Sequence, residues 1–277
     1  METNDSFAER PLWPFDLEAD GIYYRHVKGT DEITVTSSPY DRCEYHEDFI
    51  IPRKVTYRER EYRVTGIGKN AFGYSAVFSV EIPETVTAIG EDAFYCCTGL
   101  ESISIPAGVK SIGDKAFSSC SLLKTIVLPE SITEIGEALF RYCDRLESIT
   151  AVPGNPIYTD IDGILFSKDK TMLIACPPGK KGSYSIPGEV TAIANSAFRT
   201  CSKLTSITIP AGVKSIGRYA FGECESLMEI RADAPVPPVC GKNAFKDIPK
   251  DCKLIVPESS KKSYREAAEW KNLYFKN

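Results

Sequence analysis

Few residues in this chain stand where chemistry could happen. It holds two histidines, His26 and His46, and ten cysteines. Cys43-Glu44-Tyr45-His46 has the spacing of half a metal site, and Glu47 and Asp48 follow it. A tetrahedral site draws on a second set of ligands, none is in evidence, and a solvated loop is the expectation. Asp160-Ile161-Asp162-Gly163 opens like a calcium loop, but no glutamate stands at the twelfth position, where such loops place a bidentate ligand. A turn is expected there. Gly66-Ile67-Gly68-Lys69 has glycines and a lysine without the spacing of a phosphate-binding loop. No Ser-His-Asp or Cys-His set can be assembled around the two histidines. We expect a protein that is not an enzyme, with no catalytic residue, no metal and no cofactor.

The cysteines follow a different logic. Cys97, Cys120 and Cys143 are 23 residues apart, as are Cys201 and Cys224, and each follows a phenylalanine by three residues: Phe94, Phe117, Phe140, Phe198 and Phe221. The same interval separates Val86-Thr87-Ala88-Ile89-Gly90, Val109-Lys110-Ser111-Ile112-Gly113 and Ile132-Thr133-Glu134-Ile135-Gly136, and the block returns at Val213-Lys214-Ser215-Ile216-Gly217. A fixed period of this size signals a solenoid, one coil per repeat. A free thiol packs as a small hydrophobe, so a column of buried thiols is expected. Vertical disulfides are conceivable at a coil spacing of about 4.8 Å, but three successive members cannot all pair. Cys43, Cys96, Cys176, Cys240 and Cys252 lie outside the column and their state is open.

The coil itself must position everything else. In Leu100-Glu101-Ser102-Ile103-Ser104-Ile105-Pro106 the apolar residues alternate as in a strand, and Pro106 ends it. Ala107-Gly108 turns the corner, Val109 and Ile112 begin a return segment, Gly113 is expected to take a positive φ, and Ala116-Phe117 fills the far side in a short helical or 3₁₀ turn. One coil cannot bury its apolar face alone; stacking completes the burial. The copies are imperfect: Ser75 falls near the first cysteine slot, Leu139 replaces the usual alanine, Ala194 replaces the glycine, and the copy ending at Ala244-Phe245 is preceded by Pro235, Pro237 and Pro238. The interval from Phe140 to Phe198 is 58 residues. Its extra material reads as a β-hairpin around Ser167-Lys168-Asp169-Lys170 plus a partial coil that leaves the stack unbroken. Solenoid ends need caps. Gly21–Val27 with Glu32–Thr36 reads as an N-terminal hairpin, and Phe49–Pro52 with Tyr62–Val64 as the lead into the array. Leu254–Pro257 reads as a last strand, and Ser259–Trp270 as an amphipathic helix whose Tyr264, Ala267, Ala268 and Trp270 cover the final coil.

Composition narrows the class. The chain has 277 residues, 43% hydrophobic and 26% charged, with net charge −5. That suits a folded domain. No basic stripe is present, so nucleic acid is not an expected partner, and no apolar run is long enough to span a membrane. The first residues, Met1-Glu2-Thr3-Asn4-Asp5, have neither the basic start nor the apolar stretch of a signal peptide.

Written out, the repeat is Cys-x-x-Leu-x-x-Ile-x-Ile-Pro-x-x-Val-x-x-Ile-Gly-x-x-Ala-Phe-x-x-Cys, and it resembles the BspA-type leucine-rich repeat over about Val64 to Pro257. The Asp-Gly-Ile-Leu-Phe start of the insertion and the Val-Pro…Tyr…Trp ending are similar to features of that family. The resemblance implies a β-rich solenoid: a right-handed leucine-rich repeat superhelix with short strands on the concave side, short helical or 3₁₀ turns, a hairpin insertion and capped ends. It divides the chain into an N-terminal β cap at 1–63, an array at 64–257 with the hairpin-bearing insertion at 151–189, and a C-terminal helical cap at 258–277. It also implies a cell-surface or secreted protein of anaerobic oral or gut bacteria, with matrix- or host-protein binding in some members; a cytoplasmic location is the alternative.

Solvent-facing strand positions are the candidate binding face. They are Glu101, Ser102 and Ser104; Lys124, Thr125 and Val127; Glu147, Ser148 and Thr150; Thr205, Ser206 and Thr208; and Met228, Glu229 and Arg231. Hydroxyls with a few charges suit recognition of a protein or a glycan, but Thr is also simply a good strand former, and the face is poor in the Trp, Tyr and Arg of interface hot spots. The inserted hairpin (Tyr158, Phe166, Lys168, Lys170) and the aromatic N-terminal region (Trp13, Phe15, Tyr40) are the other places where a partner could dock. The expected function is a protein-binding or adhesion module acting as a monomer, with a display scaffold that has no ligand of its own as the alternative.

Overall fold

The computed structural model describes residues 15–38 and 45–275. Two parallel ladders carry the coils. The Ile-x-Ile segments line one side, where Ala76–Glu81 pairs with Ser102–Ile103 and, in a separate sheet, Thr125–Leu128 pairs with Ser148–Ala151. The return segments form the other. Ala88–Ile89, Ser111–Ile112 and Glu134–Ile135 sit in register one coil apart, Ile89 beside Ile112 and Ile112 beside Ile135. The apolar member of each pair faces inward: Ile103, Ile105, Val109 and Ile112 are all buried.

The third side is also a ladder, not the helical turn expected from the sequence. Lys115 and Ser119 take left-handed φ values of 54° and 65°. Lys115 N–H, Phe117 N–H and Ser119 N–H then donate to Glu137 O, Leu139 O and Arg141 O of the next coil, at 3.0, 3.1 and 2.6 Å. A helix would turn those donors inward on itself; here they bond outward and join the coils. The rings beneath stack, with centroids 5.1 Å apart for Phe72–Phe94, 5.4 Å for Phe94–Phe117 and 6.0 Å for Phe117–Phe140. Beside them runs the thiol column. Cys97, Cys120, Cys143, Cys201 and Cys224 are fully buried, and the last four carry free thiols. Cys120 Sγ donates to Phe94 O at 3.2 Å and Cys143 Sγ to Phe117 O at 3.0 Å. The same Phe94 carbonyl accepts Cys97 N–H, so the thiol from the next coil supplies its second bond.

Gly113 does not take a positive φ. Its requirement is space. A Cβ there would lie 2.5 Å from Glu91 N, and one at Gly136 would lie 2.3 Å from Asp114 N. Adjacent coils touch backbone to backbone at this corner, and a side chain would wedge them apart.

The insertion contains the expected hairpin, Ile164–Ser167 antiparallel to Met172–Ala175 around residues 167–170, and Tyr158–Ile161 adds a third antiparallel strand. It does interrupt the stack. One return ladder ends at Glu134–Ile135 and the next starts in the hairpin; one Ile-x-Ile ladder ends at Ser148–Ala151 and the next starts at Gly182–Ser185. The buried residues fall into two clusters that divide at Ile164 and Leu165. Single bonds cross the break, such as Gly179 N–H to Leu146 O at 2.8 Å.

At the N-terminal end Ile22–His26 and Glu32–Val35 form the expected hairpin, and Lys54–Tyr57 with Arg60–Ile67 forms a second, unexpected one. At the other end the cap is less regular than a single helix. It runs as a 3₁₀ turn at Glu258–Ser260, a helix at Lys261–Glu266, a 3₁₀ turn at Trp270–Asn272, and a strand at Tyr274–Phe275 paired with Lys253–Ile255. Ala267 is extended and Glu269 left-handed, which breaks the helix. Tyr264 and Trp270 are fully buried, Ala267 is half-buried, and Ala268 is exposed rather than covering the coil. No described helix is long and apolar enough to cross a membrane.

Candidate functional site

Pleating points alternate side chains of each Ile-x-Ile strand outward. Glu101, Ser102, Ser104, Lys124, Thr125, Val127, Glu147, Thr205, Met228 and Arg231 are exposed, while Ser148, Thr150, Ser206, Thr208 and Glu229 are half-buried. Register lines them into columns: Thr125 beside Ser148 and Val127 beside Thr150 in one sheet, Ser206 beside Glu229 and Thr208 beside Arg231 in another. They form two patches, not one continuous face. The turn at Asp162-Gly163 lies between them: Gly163 O accepts Ile149 N–H at 2.8 Å, and a Cβ on Gly163 would stand 3.1 Å from the Ser148 side chain. Lys124 and Glu101 approach to 3.7 Å, both about 60% exposed, a pairing that adds little stability.

One residue of this face escaped sequence reasoning. Phe78 is 54% exposed in the row above Glu101, since Ser79 pairs with Ser102. The signal was Ser79-Val80-Glu81-Ile82-Pro83, a strand-plus-proline copy ahead of the regular array.

The other candidates separate by burial. Tyr158 and Phe166 are buried, so they belong to the core and not to a docking hairpin; Lys168 and Lys170 are exposed. Phe15 is half-buried against Tyr23, ring centroids 4.9 Å apart. Trp13, Tyr40, Cys43 and Glu44 lie outside the described residues. His26 packs edge-on against Tyr62 at 4.8 Å, and His46 is exposed on a strand. Asp160 Oδ1 accepts Ala151 N–H at 3.1 Å. Among the described residues no three His, Cys, Asp or Glu side chains lie close enough to share a metal ion.

A charged cluster sits on the turn side, where the rims of several coils meet. Arg141 and Arg199 both bond Glu223, at 2.9 and 2.6 Å, and Tyr142 OH donates to it at 2.6 Å. Burial alone would raise the Glu223 pKa; the hydrogen bonds from Tyr142, Arg199 and Arg141 outweigh it and hold the carboxyl at about 2. Beside it Glu137 accepts from Asn195 at 2.8 Å and from Arg218 at 3.0 Å. These groups bind one another, and nothing in their arrangement activates a nucleophile. Burial also pushes the Cys143 thiol up to about 12, which removes the thiolate that reactivity needs.

The family model "BspA type Leucine rich repeat region" matches residues 33–172 and 180–273 in six copies. The chain belongs to the BspA-type leucine-rich repeat family. Among solved structures it is similar to the pneumococcal vaccine antigen PcpA, at 18% identity and TM-score 0.58 over 94% of this chain and 98% of that one. It is also similar to a leucine-rich repeat protein from Eubacterium ventriosum, at 22% identity and TM-score 0.58 over 86% of this chain and 70% of that one. At such identities the likeness is one of fold. Among curated proteins none matches. A BspA-type array of this kind fits a protein-interaction or surface role.

Proposed function

We propose that this BspA-type array is a non-enzymatic protein-binding module of the cell surface, an adhesion element that engages a host or matrix protein. The observation that carries the reading is the outward run of Phe78, Glu101, Ser102, Ser104, Lys124, Thr125 and Val127, exposed on successive coils, with Phe78 and Ser102 on strands paired in register and Lys124 within 3.7 Å of Glu101 across the step to the next strand. Side chains on a rigid ladder lose little further backbone entropy on docking, which favours affinity. Phe78 and Val127 give this patch apolar anchors, and the surrounding hydroxyls and charges form a polar rim. The patch spanning Thr205, Ser206, Thr208, Glu229 and Arg231 is the second contact region, set apart by the hairpin.

The test is surface plasmon resonance of the purified chain against a panel of purified extracellular-matrix proteins and glycans. Under this reading one or more of them is captured, and Ser102→Arg with Thr125→Arg, or Phe78→Ala alone, removes capture while the circular dichroism spectrum is kept. Capture of no panel member, or capture that survives these changes, favours the scaffold reading, in which the array displays another element and binds nothing through its strands.

A further inference from the structure

The irregularities of the fourth to sixth coils converge on one place. Leu173 pairs with Ile193 and so fills the isoleucine slot of the fifth coil. In a regular coil the phenylalanine comes five residues later, as Phe198 follows Ile193. Here Cys176, three residues on, stands in its place. Cys176 N–H donates to Ala197 O at 2.7 Å, just as Phe198 N–H donates to Ala220 O, and the Cys176 carbonyl faces the Cys201 thiol at 3.9 Å. The fifth turn is therefore two residues short and has no phenylalanine at this slot; the Tyr184 ring packs on Phe198 instead, tilted by 46° with centroids 6.2 Å apart. The space left is a cavity of about 190 Å³ between the fourth and sixth turns, walled by Phe140, Ile174, Ala175, Ala194 and Ala197, with exposed Glu137 and Asn195 at its edge. The gap also accounts for Leu139 and Ala194. Both line it, and Ala194 is spared the backbone approach that a Cβ would meet at the equivalent Gly113, Gly136 and Gly217.

The short turn leaves donors without acceptors. In regular coils the N–H groups at the Lys115 and Phe117 positions bond carbonyls of the next turn. Their counterparts in the fourth coil are Ala138 and Phe140, for which the described residues provide no acceptor. The ladder direction aims both across the gap, and both residues line the cavity. Arg141, also in the lining, has a buried Nε without a partner. Of the charged residues in the lining, Arg141 and Arg199 share the single carboxylate of Glu223. Unmet buried donors are costly, and an apolar cavity of roughly 150 Å³ takes up benzene.

We propose that this cavity is a binding site for a small single-ring aromatic carboxylate. The ring lies in the gap left by the short turn, against Phe140, Ile174, Ala194 and Ala197. The carboxylate accepts from the Ala138 and Phe140 N–H groups, within the positive field of the arginines. The site lies on the turn side, away from the strand columns of the proposed docking face, and does not depend on that reading.

The experiment is isothermal titration of the full chain with benzoate and phenylacetate, beside benzyl alcohol (a ring without charge) and acetate (charge without a ring). Saturable binding of an aromatic acid is expected, about tenfold tighter than either control, with a raised thermal midpoint. Cys176→Phe, which puts a ring at the slot, and Ala194→Leu, which fills the gap from the other wall, each remove binding. Their circular dichroism reports folding, and either variant alone serves if the other does not fold. No saturable binding of either acid at millimolar concentration overturns the proposal. So does binding that persists in both filled variants, and benzyl alcohol bound as tightly as benzoate overturns the role given to the carboxylate.

Discussion

A single methyl group separates two kinds of glycine in this array. At Gly113 it would stand 2.5 Å from the neighbouring coil's backbone, whereas at exposed Gly188 it would meet nothing within 4 Å. Gly113→Ala must push neighbouring coils apart, with a loss of about 1–3 kcal/mol on the scale of overpacked cores. Gly188→Ala only restricts the unfolded chain, and a gain of about 0.4–1 kcal/mol is expected. Urea denaturation of both variants checks the contrast, and equal effects would refute the close-approach account. The thiol column makes a second residue-level claim. Burial raises the pKa of Cys120, Cys143, Cys201 and Cys224, so none presents a thiolate near neutrality. Under native conditions a disulfide reagent should label Cys96, which is half-buried, before any of these. The column should react only after denaturant is added, and early labelling of Cys120, read by peptide mass, would show the column open.

Elements differ in how readily their sequences disclose them. The Ile-x-Ile strands, the phenylalanine stack and the thiol column were legible because each is a core position, and a core selects residue type at every turn of the period. The third ladder was not. Its left-handed positions include Asp92, Lys115, Ser196 and Tyr219, which share no side-chain chemistry but each donate an N–H to the next coil. The candidate face was legible as an alternation, but its interruption was not, since the contact between Gly163 and Ser148 obeys no period. Leu139 and Ala194 were visible as departures; only the shortened turn between them connects the two. That turn also brings Arg141, Arg199 and Glu223 together from three coils, and the bond has a pH signature. The folded pKa of Glu223 is about 2, below the ordinary 4.5. The carboxylate therefore stabilises the fold fully above about pH 4.5, and the contribution is lost as pH falls from there to about 2. Glu223→Gln should lower stability by about 1–3 kcal/mol at pH 7 and flatten the acid-side decline. Thermal midpoints measured from pH 7 to pH 2 give the comparison, and parallel curves for the two proteins would rule this assignment out.

For the whole molecule the question is whether the array unfolds as one body. In a solenoid stability is close to a sum of coil terms and neighbour interfaces, so the weakest interface sets where cooperativity fails. Here both strand ladders and the aromatic column stop at the insertion, and the buried residues divide into two clusters there. The C-terminal cluster is closed by Trp270, whose ring lies 4.8 Å from Phe245 and whose Nε1 donates to Pro238 O at 2.9 Å. Trp270→Ala removes the terminal ring of that column, a change of about 3–5 kcal/mol in a packed core. With a weak central interface the loss stays local. Hydrogen exchange in the variant should then accelerate across the ladder from Gly182–Ser185 to Lys253–Ile255, while the coils stacked on Phe94 and Phe117 keep their protection. If protection fell equally along the chain, the few bonds across the insertion and the Arg141–Glu223 pair would have to couple the halves as strongly as a regular coil interface does. Glu223→Gln added to Trp270→Ala decides between these cases. Additive effects mark independent halves, and an excess over additivity marks coupling through that pair.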